Sequence, residues 1–139
     1  MNKDKDAQNI SLDEMMNAII NKVSGDFDMV IGIERGGLLP AYLAARWLVV
    51  PLKSIQIQFR DDSHKPLTEE PQLTAPWNED VQGKRILLAD DVENTGATIR
   101  RAAEELKGAQ ITTMVISGNA DISLFGPHDR CIRWPWDPV

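Results

Sequence analysis

Two adjacent aspartates, Asp90 and Asp91, follow directly on an apolar run at 86–89. A wholly apolar run is typical of a strand buried on both faces of a parallel sheet, and ligands of such sheets collect at the carboxyl ends of the strands. Carboxylates at that position accept hydrogen bonds from the hydroxyls of a vicinal diol, or bind a hard cation such as magnesium. The pair therefore predicts a ligand site at the end of a buried strand.

The residues after the pair form a turn that leads into a helix. Residues 93–98 read Glu-Asn-Thr-Gly-Ala-Thr, and a helix is predicted over about 97–107. The N–H groups at a helix N-terminus, with the hydroxyls of Thr95 and Thr98, suit a phosphate monoester. Diol acceptors beside a phosphate cradle describe a site for ribose 5-phosphate. The plainer interpretation is a solvated turn with a threonine cap; it is disfavoured because strand, acid pair, turn and helix follow in the order that the chemistry requires.

Hydrophobic periodicity predicts the elements that hold this site. Ser11 and Glu14 form a capping box for a first helix over 11–23. Further elements are predicted as strands at 29–33, 54–59, 85–89 and 111–116, a helix at 38–49 and a long polar loop at 60–83. This order implies right-handed crossovers and an α/β fold of three layers, with helices on both faces of a mostly parallel twisted sheet. The 139 residues suit one domain, here 11–139, after a polar lead-in at 1–10.

Composition excludes several classes of function. The formal net charge of −6, with no concentrated run of basic residues, argues against nucleic acid as a partner. No segment reaches the length needed to span a bilayer, so no membrane partner is expected. The single cysteine, Cys131, excludes an internal disulfide and a multi-cysteine metal site, and a cytoplasmic location is expected. His64 and His128 are isolated in polar loops and are expected to be surface residues.

A second segment, residues 31–41, reads Ile-Gly-Ile-Glu-Arg-Gly-Gly-Leu-Leu-Pro-Ala, and its glycines would let a ligand approach the backbone closely. Together with 86–98, this segment resembles the type I phosphoribosyltransferases. The signature of that family for 5-phosphoribosyl-1-pyrophosphate (PRPP) is an apolar strand, two acids and a Thr-Gly-x-Thr turn. The resemblance covers roughly 28–137, by the order of the motifs.

The resemblance implies a role for each part of the site. Asp90 and Asp91 would hold the ribose hydroxyls and Mg2+, the implied cofactor. The 5-phosphate would bind along one turn, formed by Asn94, Thr95, Gly96, Ala97 and Thr98. The pyrophosphate would bind to Arg35, Gly36 and Gly37, often through a non-proline cis peptide next to the arginine.

The rest of the chain receives roles from the same resemblance. Residues 60–83 would form a mobile lid, and 118–139 a C-terminal hood. The tail from Arg130 is similar to the closing segment of the xanthine–guanine subgroup, in which Ile132 would offer backbone contacts to a purine edge and Asp137 would assist the base or the metal. The implied ligands are PRPP and a nucleobase or nucleotide, and relatives are commonly homodimers or homotetramers.

Three positions depart from that subgroup, all in the half of the site that would bind the base. By the resemblance, the catalytic residues would be the acid pair and position 94. The subgroup has an aspartate at position 94, which accepts the purine proton, but this chain has Asn94 there. An amide cannot act as a general base. Cys131 replaces an aromatic residue that stacks on the base, and the lysine that reads the purine 6-oxo group is replaced within 117–119. Orotate-type members also lack the acid.

Four functions remain to be compared. The leading hypothesis is magnesium-dependent transfer of phosphoribosyl from PRPP to a nucleobase, expected to be a purine in salvage. The alternative is a catalytically silent PRPP- or nucleotide-binding regulator, which Asn94, Gly118 and Cys131 favour. A nucleic-acid-binding regulator is weakened by the acidic charge. A receiver-like phospho-acceptor domain is disfavoured because its acid pair should follow the first strand.

Overall fold

The computed structural model describes residues 8–58, 70–93, 95–127 and 132–135. The elements in chain order are β1 (Gln8–Asn9), α1 (Leu12–Lys22), β2 (Met29–Glu34), α2 (Leu38–Leu48), β3 (Leu52–Gln58), β4 (Gln72–Leu73), β5 (Arg85–Glu93), α3 (Ala97–Glu105), β6 (Gln110–Gly118), β7 (Ile122–Ser123) and β8 (Ile132–Arg133). None of the described helices is long and apolar enough to cross a membrane.

In the described parts of the chain, the main sheet has six strands in the order β4-β3-β2-β5-β6-β7. All of its pairs are parallel except β3 with the short β4. Two parallel neighbouring strands must be joined by a crossover connection, which is usually a helix. The alternating pattern of helices and strands therefore predicted a parallel sheet. The predicted α/β fold is confirmed.

Two apolar clusters cover the two faces of the sheet. On one face Leu87 and Ala89 of β5 pack with residues of α1 and α2, among them Met15 and Ala44. On the other face the alternate residues of the same strand, Ile86 and Leu88, pack with α3 and with Leu106, its C-cap residue. Since successive side chains of a strand point to opposite faces, β5 is buried between the two helical layers.

The first helix begins as the sequence predicts. Ser11 Oγ accepts the Glu14 N–H at 3.0 Å, and Glu14 Oε1 accepts the Ser11 N–H at 3.4 Å. Farther along, Lys22 Nζ donates to the carbonyl oxygens of Ser123 and Leu124 at 3.1 and 2.8 Å. The last turn of α1 therefore holds the described part of the expected hood against the body of the fold.

Residues 8–10 lie in the fold rather than in a polar lead-in. Gln8 and Asn9 pair in parallel with Ile132 and Arg133, and Ile10 is only 2% exposed. This partner strand lies more than a hundred residues away in the sequence, so no local pattern could indicate the pairing.

The described part of the expected lid, residues 70–83, packs on the sheet. Gln72–Leu73 forms β4 against β3, and Val81 is 4% exposed within the apolar cluster on the α3 face. Residues 60–69 of the expected lid lie outside the described residues. The polar and proline-rich composition predicted an exposed loop. A few buried side chains are enough to hold an irregular segment on the sheet, and they leave no periodic pattern in the sequence.

Candidate functional site

The acid pair lies within a paired strand. β5 was expected to end at Ala89, but it continues to Glu93 because β6 also continues, to Gly118, and offers it a partner. Asp90 is in register with Val115, and Val92 with Ser117. The last residues of β5 are therefore ordered by a neighbouring strand rather than by a free turn.

The two aspartates point to opposite faces of the sheet. By the alternation of β5, Asp90 follows Leu88 on the α3 face, and Asp91 follows Ala89 on the α2 face. Asp90 is 7% exposed, and its Oδ1 accepts the Asp91 N–H at 2.9 Å. Asp91 is partly buried, and its Oδ1 accepts the Val92 N–H at 2.7 Å. Each carboxylate is thus oriented by a backbone hydrogen bond.

The Arg35–Gly37 turn connects β2 to α2 at the same end of the sheet. Its first peptide bond, Glu34–Arg35, is cis, as the resemblance implied. The Gly37 N–H donates to Ile33 O at 2.8 Å, and the Leu38 N–H to Arg35 O at 3.1 Å. Since β2 pairs with β5, the turn lies directly beside the acid pair.

The glycines of this turn are required by two close approaches. A Cβ on Gly36 would overlap the carboxylate of Asp91. A Cβ on Gly37 would overlap the Ala89 carbonyl oxygen and would lie 2.7 Å from the Ile33 carbonyl oxygen. The structure therefore brings the Arg-Gly-Gly turn and Asp91 into contact, although Gly36 and Asp91 are 55 positions apart in the sequence.

The turn after β5 leads into α3 through Gly96. Gly96 has φ +80° at the N-cap of α3, in the left-handed region that favours glycine. The Ala97 N–H donates to Thr95 Oγ1 at 3.3 Å, and the Arg100 guanidinium donates to the Thr95 carbonyl at 3.1 Å. Thr98 lies in the first turn of the helix. Asn94 lies outside the described residues, so its expected roles stay predictions.

The electrostatics at the two turns suit anions. Neither α2 nor α3 has an acidic residue in its first turn, whereas α1 has Asp13 and Glu14 there. An acidic residue at that position stabilises a helix by interaction with the positive end of its dipole. The two helices that begin at the glycine turns have no acidic residue of their own in that position.

The model of the phosphoribosyl transferase domain family matches residues 3–117. This chain belongs to the phosphoribosyl transferase family.

The relatives of this chain carry several names. It is 31% identical over 107 residues to the orotate phosphoribosyltransferase of Sulfurisphaera tokodaii, covering 74% of this chain and 50% of the relative. It is 32% identical over 124 residues to the xanthine-guanine phosphoribosyltransferase of Nitratidesulfovibrio vulgaris, covering 81% and 71%. It is 29% identical over 129 residues to the transcriptional regulator GfcR of Methanococcoides burtonii, covering 88% and 62%. The chain spans about half the length of the orotate enzymes it matches, 50% and 44%.

A solved structure agrees over nearly the whole chain. The purine phosphoribosyltransferase from Pyrococcus horikoshii Ot3 superposes with a TM-score of 0.78 at 28% identity, and the match covers 96% of both chains. The sequence-based prediction of a divergent type I phosphoribosyltransferase is confirmed.

The half of the chain expected to bind a base is described only in part. Ile132 lies in β8, paired with Gln8, while Cys131 and Asp137 lie outside the described residues. At the end of β6, Ser117 is 4% exposed and donates through Oγ to the Gly126 carbonyl at 3.0 Å. The end of β6 is therefore tied to the described part of the hood, and Gly118 beside it has φ +124°.

Sequence reasoning missed two polar side chains near the site. Glu34, the last residue of β2, is partly buried, and its Oε1 accepts the Ser54 hydroxyl at 2.7 Å. The position of Glu34 between an apolar strand and Arg35 could have indicated that its side chain lies near the site. Arg100 is the second, and only the spacing of five residues from Thr95 could have indicated its contact.

Proposed function

We propose that this protein transfers the 5-phosphoribosyl group of PRPP to a nucleobase and releases pyrophosphate. The observation that supports this most is the contact between the Arg-Gly-Gly turn and Asp91, at the edge of the sheet where α3 also begins. PRPP carries a phosphate and a diphosphate on either side of a ribose diol. The two helix N-termini with the acid pair between them match that order of groups.

The reaction breaks the bond from ribose C1 to the diphosphate oxygen and forms a bond from C1 to a ring nitrogen of the base. The Arg35–Gly37 turn binds the diphosphate, and the turn at 95–98 binds the 5-phosphate. Asp91 lies beside the diphosphate turn and orients the ribose through its hydroxyls, with Asp90 fixed by burial on the other face. Most of the rate acceleration then comes from positioning and from electrostatic stabilisation of the departing diphosphate.

Magnesium is the proposed cofactor. Among the described residues no three His, Cys, Asp or Glu side chains converge on one point, so the described protein alone offers no metal cage. Mg2+ is commonly held by one or two carboxylates together with water and substrate phosphates. Asp91, which lies beside the diphosphate turn, fits that mode, whereas Asp90 lies on the opposite face of the sheet. When bound with the diphosphate, the ion supplies charge neutralisation for the leaving group.

A purine is the proposed acceptor, supported by the xanthine–guanine and purine phosphoribosyltransferases among the relatives. The nitrogen that attacks C1 loses a proton, and Asn94 cannot accept it because an amide is not a base near neutral pH. Water and the released pyrophosphate are the acceptors that the reaction itself supplies.

The experiment is nucleotide formation from Mg-PRPP with guanine, hypoxanthine, xanthine, adenine, uracil and orotate in turn, with PRPP binding measured in parallel. We expect product from a 6-oxopurine. Asp91→Asn should lower the rate by about a hundredfold because it removes a charge at the reacting centre. Glu79→Gln is the matched control, since Glu79 only pairs with Lys53 at 3.3 Å on the surface.

A second candidate function is a PRPP- or nucleotide-binding regulator. It is supported by the regulator GfcR among the relatives and by Asn94 at the expected proton-acceptor position. Tight PRPP binding without product from any base of the panel would favour this function over transfer. Absence of PRPP binding would contradict transfer and a PRPP-binding regulator, and would leave only a regulator that binds a nucleotide.

A further inference from the structure

Arg100 reaches back from α3 to the turn before it. Its Nη1 donates to the Thr95 carbonyl at 3.1 Å, and its backbone N–H donates to Gly96 O at 2.9 Å. Helical side chains lean toward the helix N-terminus, so a long side chain in the second turn can reach the residues before the first. The backbone bond is the ordinary i to i−4 bond at the start of the helix, so it is the side chain of Arg100 that adds a hold on the expected 5-phosphate turn.

The adjacent arginine behaves differently. Arg101 pairs with Glu105 at 2.8 Å and lies 4.0 Å from Glu104, so its charge is compensated within the helix. Within the parts of the chain that the structure describes, Arg100 forms no ion pair with a carboxylate; its hydrogen bond goes to a neutral carbonyl. Of the two neighbouring arginines, Arg101 is paired with a carboxylate, whereas the charge of Arg100 lies beside the turn with a neutral partner.

That charge is poorly placed for the helix by itself. A cation near a helix N-terminus is repelled by the positive end of the dipole, and α3 has no acidic residue in its first turn to offset the repulsion. A bound phosphate would be attracted both by the positive end of the dipole and by the guanidinium, which would offset that repulsion. The arrangement is therefore unfavourable without an anion and favourable with one.

We propose that Arg100 is a positioning residue for the 5-phosphate group, an inference that rests on the proposed function. The carbonyl and N–H of a trans peptide point in opposite directions, so fixing the Thr95 carbonyl also fixes the plane of the Thr95–Gly96 peptide. The guanidinium has five N–H donors, and its charge strengthens hydrogen bonding to phosphate at the turn. Arg100 sets the affinity for the phosphate end of PRPP and not for the diphosphate end.

The test compares binding of ribose 5-phosphate and of magnesium pyrophosphate, by calorimetry, to the wild-type protein, Arg100→Gln, Arg100→Lys and the matched control Arg101→Gln. We expect Arg100→Gln to weaken ribose 5-phosphate binding by about tenfold or more, the usual worth of a charge-assisted hydrogen bond, and to leave pyrophosphate binding unchanged. Arg100→Lys should recover part of the loss, and Arg101→Gln should change neither ligand. The melting temperature of ligand-free Arg100→Gln should stay within about 2 °C of wild type.

The outcomes separate this inference from the proposed function. Wild-type protein that binds neither ligand nor PRPP would overturn the proposed function and this inference with it. Wild-type protein that binds ribose 5-phosphate, with Arg100→Gln equally tight or equally weakened for both ligands, would overturn the role of Arg100 alone. A fall of many degrees in melting temperature, with both ligands weakened, would assign Arg100 a structural role instead.

Discussion

Gly36 and Gly37 are neighbours in one turn, but the atoms that surround them differ in kind. The space beside Gly36 is occupied by the side-chain carboxylate of Asp91, which can rotate away. The space beside Gly37 is occupied by backbone atoms of β2 and β5, which cannot move without shifting the strands. The same added methyl group should therefore affect ligand binding at one position and stability at the other.

We expect Gly36→Ala to lower the free energy of unfolding by less than about 1 kcal/mol and to weaken PRPP binding at least tenfold, because it displaces Asp91. Gly37→Ala should lower the free energy of unfolding by about 1–3 kcal/mol or more. Urea unfolding and PRPP titration measure the two effects. Gly83→Ala is the control, since its Cβ meets nothing within 4 Å and only its φ of +73° is unfavourable. Equal loss of stability at 36 and 37 would contradict the distinction.

At the scale of the elements, β2 and β5 are joined at both ends. Their carboxyl ends hold the candidate site, and their amino ends are tied by Asp28 and Arg85. The Asp28 carboxylate accepts from the Arg85 N–H at 2.8 Å and from its Nη2 at 3.2 Å. The hydrogen bond from the Arg85 side chain, followed by that from its backbone, holds the pKa of Asp28 below its ordinary value. This pair therefore links the amino ends of the two strands that carry the site.

A carboxyl group with a lowered pKa in the folded chain stabilises the fold above its ordinary pKa of about 4, and the contribution is lost as the pH falls through the lowered value. We expect Asp28→Asn to be less stable than wild type at pH 7, with the difference shrinking as the pH falls below about 4. Melting temperatures over a pH series test this. Asp26→Asn should have little effect, because Asp26 is more exposed and lies 3.8 Å from Arg85. A difference that persists unchanged in acid would show that the pair is not the cause.

At the scale of the whole molecule, the two ends of the described chain meet. β1 and β8 form a separate two-stranded sheet, and the Ile10 N–H donates to the Arg133 carbonyl at 3.0 Å. Ile10 is buried in the cluster that contains α1 and α2. The segment expected to reach the base is thus held by residues from the start of the chain.

Ile10→Ala should lower the free energy of unfolding by about 2–5 kcal/mol, through lost burial and the cavity left behind. Leu12→Ala is the matched control, because Leu12 is 46% exposed and its truncation should cost less than about 0.5 kcal/mol. Chemical denaturation measures both. Similar values for the two variants would show that the start of the chain does not contribute to the core.

The residues and local elements were predictable because their signals are local. The capping box of α1, the apolar strand before Asp90 and the turn through Gly96 follow from side-chain chemistry within a few residues. The resemblance then supplied roles for Asp90, Asp91 and the Arg35–Gly37 turn, and the structure places these residues at one edge of the sheet.

By itself, the sequence determined the order of helices and strands, the α/β class and the positions of the two glycine-containing turns of the candidate site, since periodicity and turn chemistry act over short distances. Only the tertiary structure decided that Asp91 packs on Gly36, that β5 continues through the acid pair, that 70–83 is packed, and that residues 8–10 pair with β8. Each of these depends on which distant segments become neighbours. That choice is made by the register of the strands and the packing of the two apolar clusters, and no local pattern of residues records it.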